Sequence, residues 1–228
     1  PDRNTWRIVT KLPPDDTWAD TPAALARAHA DLGVATYYGV LCHRAETLLA
    51  ADGQAVWRAL SQARDAGQVH RLGVSVYTPD ELEAVRAHYP VDLVQLPFNL
   101  YDRRFARAIA ELEAAGVEVH LRSAFLQGVL LQPAERLPGF LTDLAPAHRR
   151  FHDVTAEHGV SAQAAALSVC LRSGASRVLV GCQNRGEFVQ ILSAADTVSA
   201  LPSDLAEQLQ DPAWAQPLGL VDPRYWPA

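Results

Sequence analysis

Six short apolar runs recur along this chain, and nearly every one is followed by a stretch with helical patterning. They span Ile8 to Lys11, Val34 to Cys42, His70 to Ser75, Val91 to Phe98, Val117 to Leu121 and Arg177 to Val180. A strand followed by a helix returns parallel to its predecessor through a right-handed crossover, so the alternation predicts a parallel α/β sheet. No Asn-Gly hairpin signal interrupts it. Two architectures satisfy the pattern, an open doubly wound sheet and a (β/α)8 barrel. The open sheet loses its best support because neither G-x-G-x-x-G nor G-x-x-x-x-G-K-S/T occurs. The barrel gains support because Lys11, His43, Ser75, Gln95, Arg122, Ser123 and Gln183 all fall where apolar runs end. In a parallel barrel those ends share one mouth.

Local signals place the helices. Thr21-Pro22 opens an alanine-rich helix that Gly33 stops, and Gly67 closes another that carries Val56, Trp57, Leu60 and Ala63 on one side. Thr78-Pro79-Asp80-Glu81 reads as a capping box, Asp102 as the cap of a helix bearing Phe105, Ile109 and Leu112, and Ser161 as a third cap. Residues 130 to 145 read as the one long loop. A proline-rich tail from Leu201 is expected to wrap the body and dock Trp214 and Trp226, so that 1–228 forms a single domain with 201–228 as its tail.

Of 228 residues, 49% are hydrophobic, enough for a sizeable core. The net charge of -6, with no run of basic residues, argues against a nucleic-acid or acidic-membrane partner and for a small molecule. No apolar run approaches the roughly 18 residues of a membrane span, and no signal sequence is evident, so a soluble, cytoplasmic protein is expected. Cys42, Cys170 and Cys182 read as reduced, buried thiols. The chain contains no methionine and reads as a piece of a longer reading frame.

Lys11 is the sole lysine, every other basic residue being arginine. An ammonium is a compact donor with a shiftable pKa, which a guanidinium is not, so a lone lysine at a strand end suggests a site that needs that chemistry. A solvated strand-edge lysine is the competing reading. His43 ends the next strand, and an imidazole beside an ammonium can polarise a carbonyl and assist proton delivery. Alone, it reads first as a hydrogen-bonded capping histidine. Gln95 sits inside an apolar strand, where an amide needs a partner, either a ligand or a neighbouring strand. Gly73-Val74-Ser75-Val76-Tyr77 lacks the final glycine of a nucleophile elbow. His148 and His152, four apart, could clip a metal, but no glutamate completes the motif; a solvated face is favoured and no metal is expected.

Taken in order, Val9-Thr10-Lys11, Leu41-Cys42-His43-Arg44, Leu72-Gly73-Val74-Ser75, Val94 to Asn99, Arg122 to Gly128 and Val180-Gly181 resemble the aldo/keto reductase family over almost the whole chain. The resemblance implies a (β/α)8 barrel that reduces an aldehyde or ketone with a nicotinamide cofactor, NADP or NAD, through an Asp, Tyr, Lys, His tetrad. Lys11 looks like the tetrad lysine and His43 like its histidine. Ser75 and Gln95 would hold the nicotinamide carboxamide. Arg122, Ser123, Phe125, Gln127 and Gly128 would run along ring and pyrophosphate, and Gly181, Gln183 and Glu187 would lie at the last segment.

Three positions depart from the common pattern. Val76 stands where an asparagine is usual and Arg122 where an aromatic ring is usual; both resemble a bacterial subgroup with Gly-Val-Ser-Val-Tyr and Arg-Ser-x-Phe-Leu-Gln-Gly segments. Glu187 falls near the usual arginine for the adenosine 2′-phosphate, which a carboxylate would repel. By the same likeness the first two strand-helix units, with the tetrad aspartate and tyrosine, would precede Pro1. Two classes are therefore open, a reductase inactive as this chain, or a non-catalytic binding protein on the same scaffold.

Overall fold

The computed structural model describes residues 6–12, 21–34 and 36–227. Its strands are β1 (Val9–Leu12), β2 (Tyr37–Cys42), β3 (Val69–Ser75), β4 (Leu93–Pro97), β5 (Glu118–Arg122) and β6 (Arg177–Val178), which form one sheet in sequence order. Between β1 and β5 come α1 (Thr21–Leu32), α2 (Ala45–Leu49), α3 (Gly53–Asp65), α4 (Pro79–His88) and α5 (Ala106–Ala114). After β5 come α6 (Ala145–Glu157), α7 (Ala162–Leu171), α8 (Arg185–Thr197), α9 (Ser203–Gln210) and α10 (Leu218–Val221). Contacts divide the chain into two compact units, residues 1–96 with 111–120, and residues 97–110 with 121–228.

In the first unit β1 to β4 run parallel. Leu12 pairs with Cys42, Cys42 with Val74 and Val74 with Val94, and all four side chains are buried. Both faces of such strands are covered, so the runs read as continuously apolar rather than alternating. The Thr78 hydroxyl accepts from the Glu81 amide while Glu81 Oε2 accepts from the Thr78 amide, the reciprocal cap that the sequence predicts. Gly33 and Gly67 end their helices at φ 61° and 75°, a left-handed backbone that glycine adopts without a Cβ clash.

Several expectations need correction. The helix expected after Asp102 begins only at Ala106, which leaves Asp102 outside it. Its carboxylate is buried and takes two hydrogen bonds from the Arg104 guanidinium, at 2.8 and 2.6 Å. A short helix, α2, occupies the stretch between β2 and α3 that carried no helical pattern long enough to read. The presumed loop of residues 130–145 contains 3-10 turns at Ala134–Arg136 and Gly139–Leu144, with Leu141 and Leu144 buried. Cys182 is exposed, unlike Cys42 and Cys170, whose thiols burial pushes up to about 12. The proline pair Pro13-Pro14, expected to stop β1, lies outside the described residues.

His148 is the largest correction, because it is fully buried in the second unit and not on a solvated face. Its Nε2–H donates to the Gln132 carbonyl at 2.7 Å, which leaves Nδ1 to accept from the Tyr101 hydroxyl at 3.0 Å. That arrangement suits the neutral ring, and burial lowers the His148 pKa. Trp214 is buried as expected, with the Arg150 guanidinium 4.4 Å from its ring centre, and Trp226 lies 5.6 Å from Phe140.

The tail is fixed by a buried carboxylate. Asp222 is fully buried and accepts from Arg104 Nη1 at 3.0 Å and Arg224 Nη2 at 2.8 Å. Burial alone would raise its pKa, but the hydrogen bonds from Arg224 and Arg104 outweigh burial and hold it below the ordinary 3.8. A depressed folded-state value means stability present above the ordinary carboxylate range and lost as pH falls through the folded value. Asp222→Ala leaves two guanidinium groups without this partner and should cost about 3–5 kcal/mol at pH 7. Urea unfolding at pH 7 and pH 3 checks this: the loss should be large at pH 7 and shrink at pH 3. An equal loss at both pH values would mean that packing, not charge, is what Asp222 supplies.

Candidate functional site

In the first unit the strand register decides which side chains share a face. Lys11 pairs with Leu41, Leu41 with Gly73 and Gly73 with Leu93; two residues further on, Ser75 pairs with Gln95. Side chains two apart on a strand point the same way, so Lys11, Ser75 and Gln95 stand on one face at the C-terminal ends of parallel strands. His43 is the first residue past β2 and, like Lys11, is half-buried. Ser75 and Gln95 are 1% and 5% exposed, so their polar groups are withdrawn from bulk water. The amide of Val76, itself fully buried, donates to the Gln95 carbonyl at 2.9 Å and extends the β3–β4 pairing past the strand end.

The apolar residues on the same face require two glycines. A Cβ on Gly39 would lie 2.9 Å from Leu93 Cδ2 and 3.5 Å from both methyls of Val9. On Gly73 it would lie 1.9 Å from the Leu93 carbonyl oxygen and 2.7 Å from Leu41 Cδ2. Val9, Leu41 and Leu93 therefore fill the space over the glycines and form an apolar layer beneath the polar ends. An ammonium, a hydroxyl and an amide above such a layer can orient a polar ligand at low local dielectric.

In the second unit, Arg122 ends β5 and the backbone then turns left-handed at residues that are not glycine. Ser123 has φ 63°, Leu126 47° and Gln127 55°, followed by Gly128 at 87°. Each such non-glycine residue costs on the order of 1–3 kcal/mol and persists only where its surroundings over-determine it. Backbone bonds supply part of that: Leu126 N donates to the Ser123 carbonyl at 2.8 Å, and Gly128 N and Leu130 N both donate to the Phe125 carbonyl. Arg122, Ser123, Phe125 and Gly128 are half-buried and Gln127 exposed, so this segment offers contacts at its surface.

Asn99 supplies another part, and sequence reasoning gave it no role. Its side chain is fully buried, Nδ2 donates to the Ser123 carbonyl at 3.0 Å, and Oδ1 accepts from the Tyr101 and Asp102 amides at 2.9 and 3.0 Å. A buried amide between Phe98 and Leu100 needs partners for its polar atoms, and that signal could have found it.

Gly181 and Gln183 are exposed ahead of α8. Asn184 caps that helix, its Oδ1 accepting from the Glu187 amide at 3.0 Å, and the Glu187 carboxylate folds back over the cap, its Oε2 accepting from the Gln183 amide at 2.7 Å and Oε1 from Asn184 Nδ2 at 2.8 Å. The position expected to meet a 2′-phosphate thus carries a fixed negative charge at a helix N-terminus. Among the described residues no three His, Cys, Asp or Glu side chains gather as a metal site would require, and no helix is long and apolar enough to cross a membrane.

Comparison with solved structures places this architecture among known folds. An aldo-keto reductase from Bacillus halodurans superposes with a TM-score of 0.75 in its apo form, at 17% identity over 94% of this chain and 73% of its own. Its holo form gives 0.71, at 15% identity over 94% and 74%. The thermostable aldo-keto reductase Tm1743, in complex with the inhibitor epalrestat, gives 0.69 at 16% identity, over 91% of this chain and 72% of its own. No curated protein matches the sequence. At these identities the superpositions establish the fold, the parallel α/β architecture of the aldo-keto reductase barrels. The sequence profile of the aldo/keto reductase family matches residues 1–211, most of the chain, and the chain belongs to that family.

Proposed function

We propose that this chain has the site chemistry of NAD(P)H-dependent reduction of an aldehyde or ketone to the alcohol, with NAD(H) bound at least as well as NADP(H), and that assayed alone it turns over little or not at all. In the first unit, Lys11 and His43 are the tetrad lysine and histidine, acting on the carbonyl oxygen as charge and hydrogen-bond donors. Ser75 and Gln95, paired across β3 and β4, hold the nicotinamide carboxamide. In the second unit, the segment Arg122, Ser123, Phe125, Gln127 and Gly128 receives ring and pyrophosphate, and Gly181, Gln183 and Glu187 meet the adenosine end. The residues suit a nicotinamide dinucleotide, because a buried hydroxyl–amide pair matches a carboxamide and the left-handed Ser123–Gly128 backbone is the kind of strain that persists at ligand sites. When bound, that cofactor would supply the hydride. The Gly-Val-Ser-Val-Tyr and Arg-Ser-x-Phe-Leu-Gln-Gly segments favour the bacterial subgroup, in which Val76 and Arg122 are ordinary variation.

The shared face of Lys11, Ser75 and Gln95 carries this reading most strongly. Fluorescence titration with NADH and NADPH tests it: Gln95→Leu should weaken both, and no saturable binding of either by the unaltered chain would overturn the reading.

Cofactor choice turns on Glu187, whose carboxylate is held in place by Gln183 and Asn184. Glu187→Gln retains a capping amide but removes the charge, so it should tighten NADPH by roughly 3- to 30-fold at low salt and leave NADH nearly unchanged. A parallel change for both cofactors would mean that the cap, not the charge, matters here.

A further inference from the structure

We propose, resting on the cofactor assignment above, that Asn99 is a positioning residue for nicotinamide dinucleotide binding: its buried carboxamide donates to the Ser123 carbonyl and so holds the Arg122–Gly128 segment in its left-handed conformation. The geometry isolates this one bond. The Oδ1 end of Asn99 serves its own loop, through the Tyr101 and Asp102 amides, while the Nδ2 end alone reaches across to the strained segment. Ser123 carries the first of the three left-handed non-glycine residues, directly after Arg122 at the end of β5. The Ser123 carbonyl takes both Asn99 Nδ2 and the Leu126 amide, so one oxygen is the anchor for the turn that follows. A second tie holds the Asn99 side: Phe98 N donates to the Arg122 carbonyl at 3.1 Å. Successive donors from residues 98 and 99 on the carbonyls of 122 and 123 fix the peptide planes on either side of Ser123, and with them the directions of the Arg122 and Ser123 side chains.

Asn99→Asp separates the two ends of the side chain. An ionised carboxylate still accepts from the Tyr101 and Asp102 amides, but it faces the Ser123 carbonyl with an acceptor where a donor stood. Burial raises the pKa of a carboxyl, so at pH 5 the introduced acid is protonated and can donate again. The variant should therefore bind NADH about as well as the unaltered chain at pH 5 and roughly tenfold or more weaker at pH 8, each compared with the unaltered chain at the same pH. Hydrogen exchange of the Leu126, Gly128 and Leu130 amides should accelerate over the same pH interval beyond the ordinary base catalysis seen in the unaltered chain. Because the sample folds with its donor intact at pH 5, raising the pH stepwise reads the loss before any unfolding. Tyr101→Phe is the control: it removes the hydroxyl bonded to His148 in the same loop, does not touch Ser123, and should leave the NADH affinity within about twofold.

Unchanged NADH affinity of Asn99→Asp at pH 8 would overturn the proposal while leaving the cofactor assignment standing. So would an equal loss in Tyr101→Phe, since that would mark a general loosening of the loop. No binding of NADH or NADPH by the unaltered chain would instead remove the cofactor assignment, and the proposal with it.

Discussion

Gly73→Ala is expected to lower the thermal midpoint by roughly 6–12 °C and to abolish measurable NADH binding, while Gly139→Ala, with open space around its Cβ, should be silent. The new methyl on Gly73 would lie 1.9 Å from the Leu93 carbonyl oxygen, which belongs to the backbone of the neighbouring strand and cannot swing away. It would also lie 2.7 Å from Leu41 Cδ2, on the strand at its other side. Overpacking of this sort costs about 1–3 kcal/mol where side chains can give, and more where a strand must move. The functional loss follows from register: Gly73 opposes Leu93, and Ser75 opposes Gln95 two residues further along the same pair of strands. Pushing β3 from β4 at the glycine separates the hydroxyl and amide that the carboxamide would need. Differential scanning calorimetry with cofactor titration measures both effects. Full binding by a destabilised Gly73→Ala would show that the Ser75–Gln95 pair tolerates a displaced strand and does not hold the nicotinamide.

The strand order was legible because each strand had to carry its own helix back across the sheet, a pattern that needs only hydrophobic period and stop residues. Lys11, Ser75 and Gln95 could be placed at strand ends on the same grounds, since polar residues at the limits of apolar runs have few other places to stand. The face they share was not legible, because pairing register depends on which backbone groups meet, and a one-residue slip would have turned Ser75 away from Lys11. His148 was misread for a related reason. Surrounded in sequence by Arg149, Arg150 and His152, it looks solvated, yet its partners are Tyr101 and Gln132, both distant along the chain. Glu187 shows the converse: its partners, the Gln183 amide and the Asn184 side chain, lie within four residues of it in the chain. The left-handed turn at Ser123 has no sequence signal, since only Gly128 in that segment is a residue that prefers positive φ.

Assayed alone, the 228-residue chain is expected to bind NADH yet to reduce a reactive aromatic aldehyde at least ~10²- to 10⁴-fold more slowly than a family member carrying all four tetrad residues. Carbonyl reduction needs a hydride at carbon and a proton at oxygen, and the second requires an acid positioned where the alkoxide forms. On the reading proposed above, Lys11 and His43 are the tetrad lysine and histidine, and no residue is assigned to the aspartate or the tyrosine. An ammonium is a poor substitute acid, because its ordinary pKa near 10.4 makes proton release to a forming alkoxide slow compared with a tuned phenol. It remains useful as a charge, which lowers the barrier only in company with a donor. An imidazolium at His43 is a stronger acid, and any turnover that it supported would fall as pH rises and the ring loses its proton. The pH profile of NADH-dependent aldehyde reduction therefore separates the cases: a trace rate that dies above pH 7 and is lost in His43→Phe assigns the residual proton to the imidazole. Turnover comparable to the complete tetrad at pH 8, abolished by Lys11→Met, would overturn the prediction, since the ammonium would then be acid and charge at once.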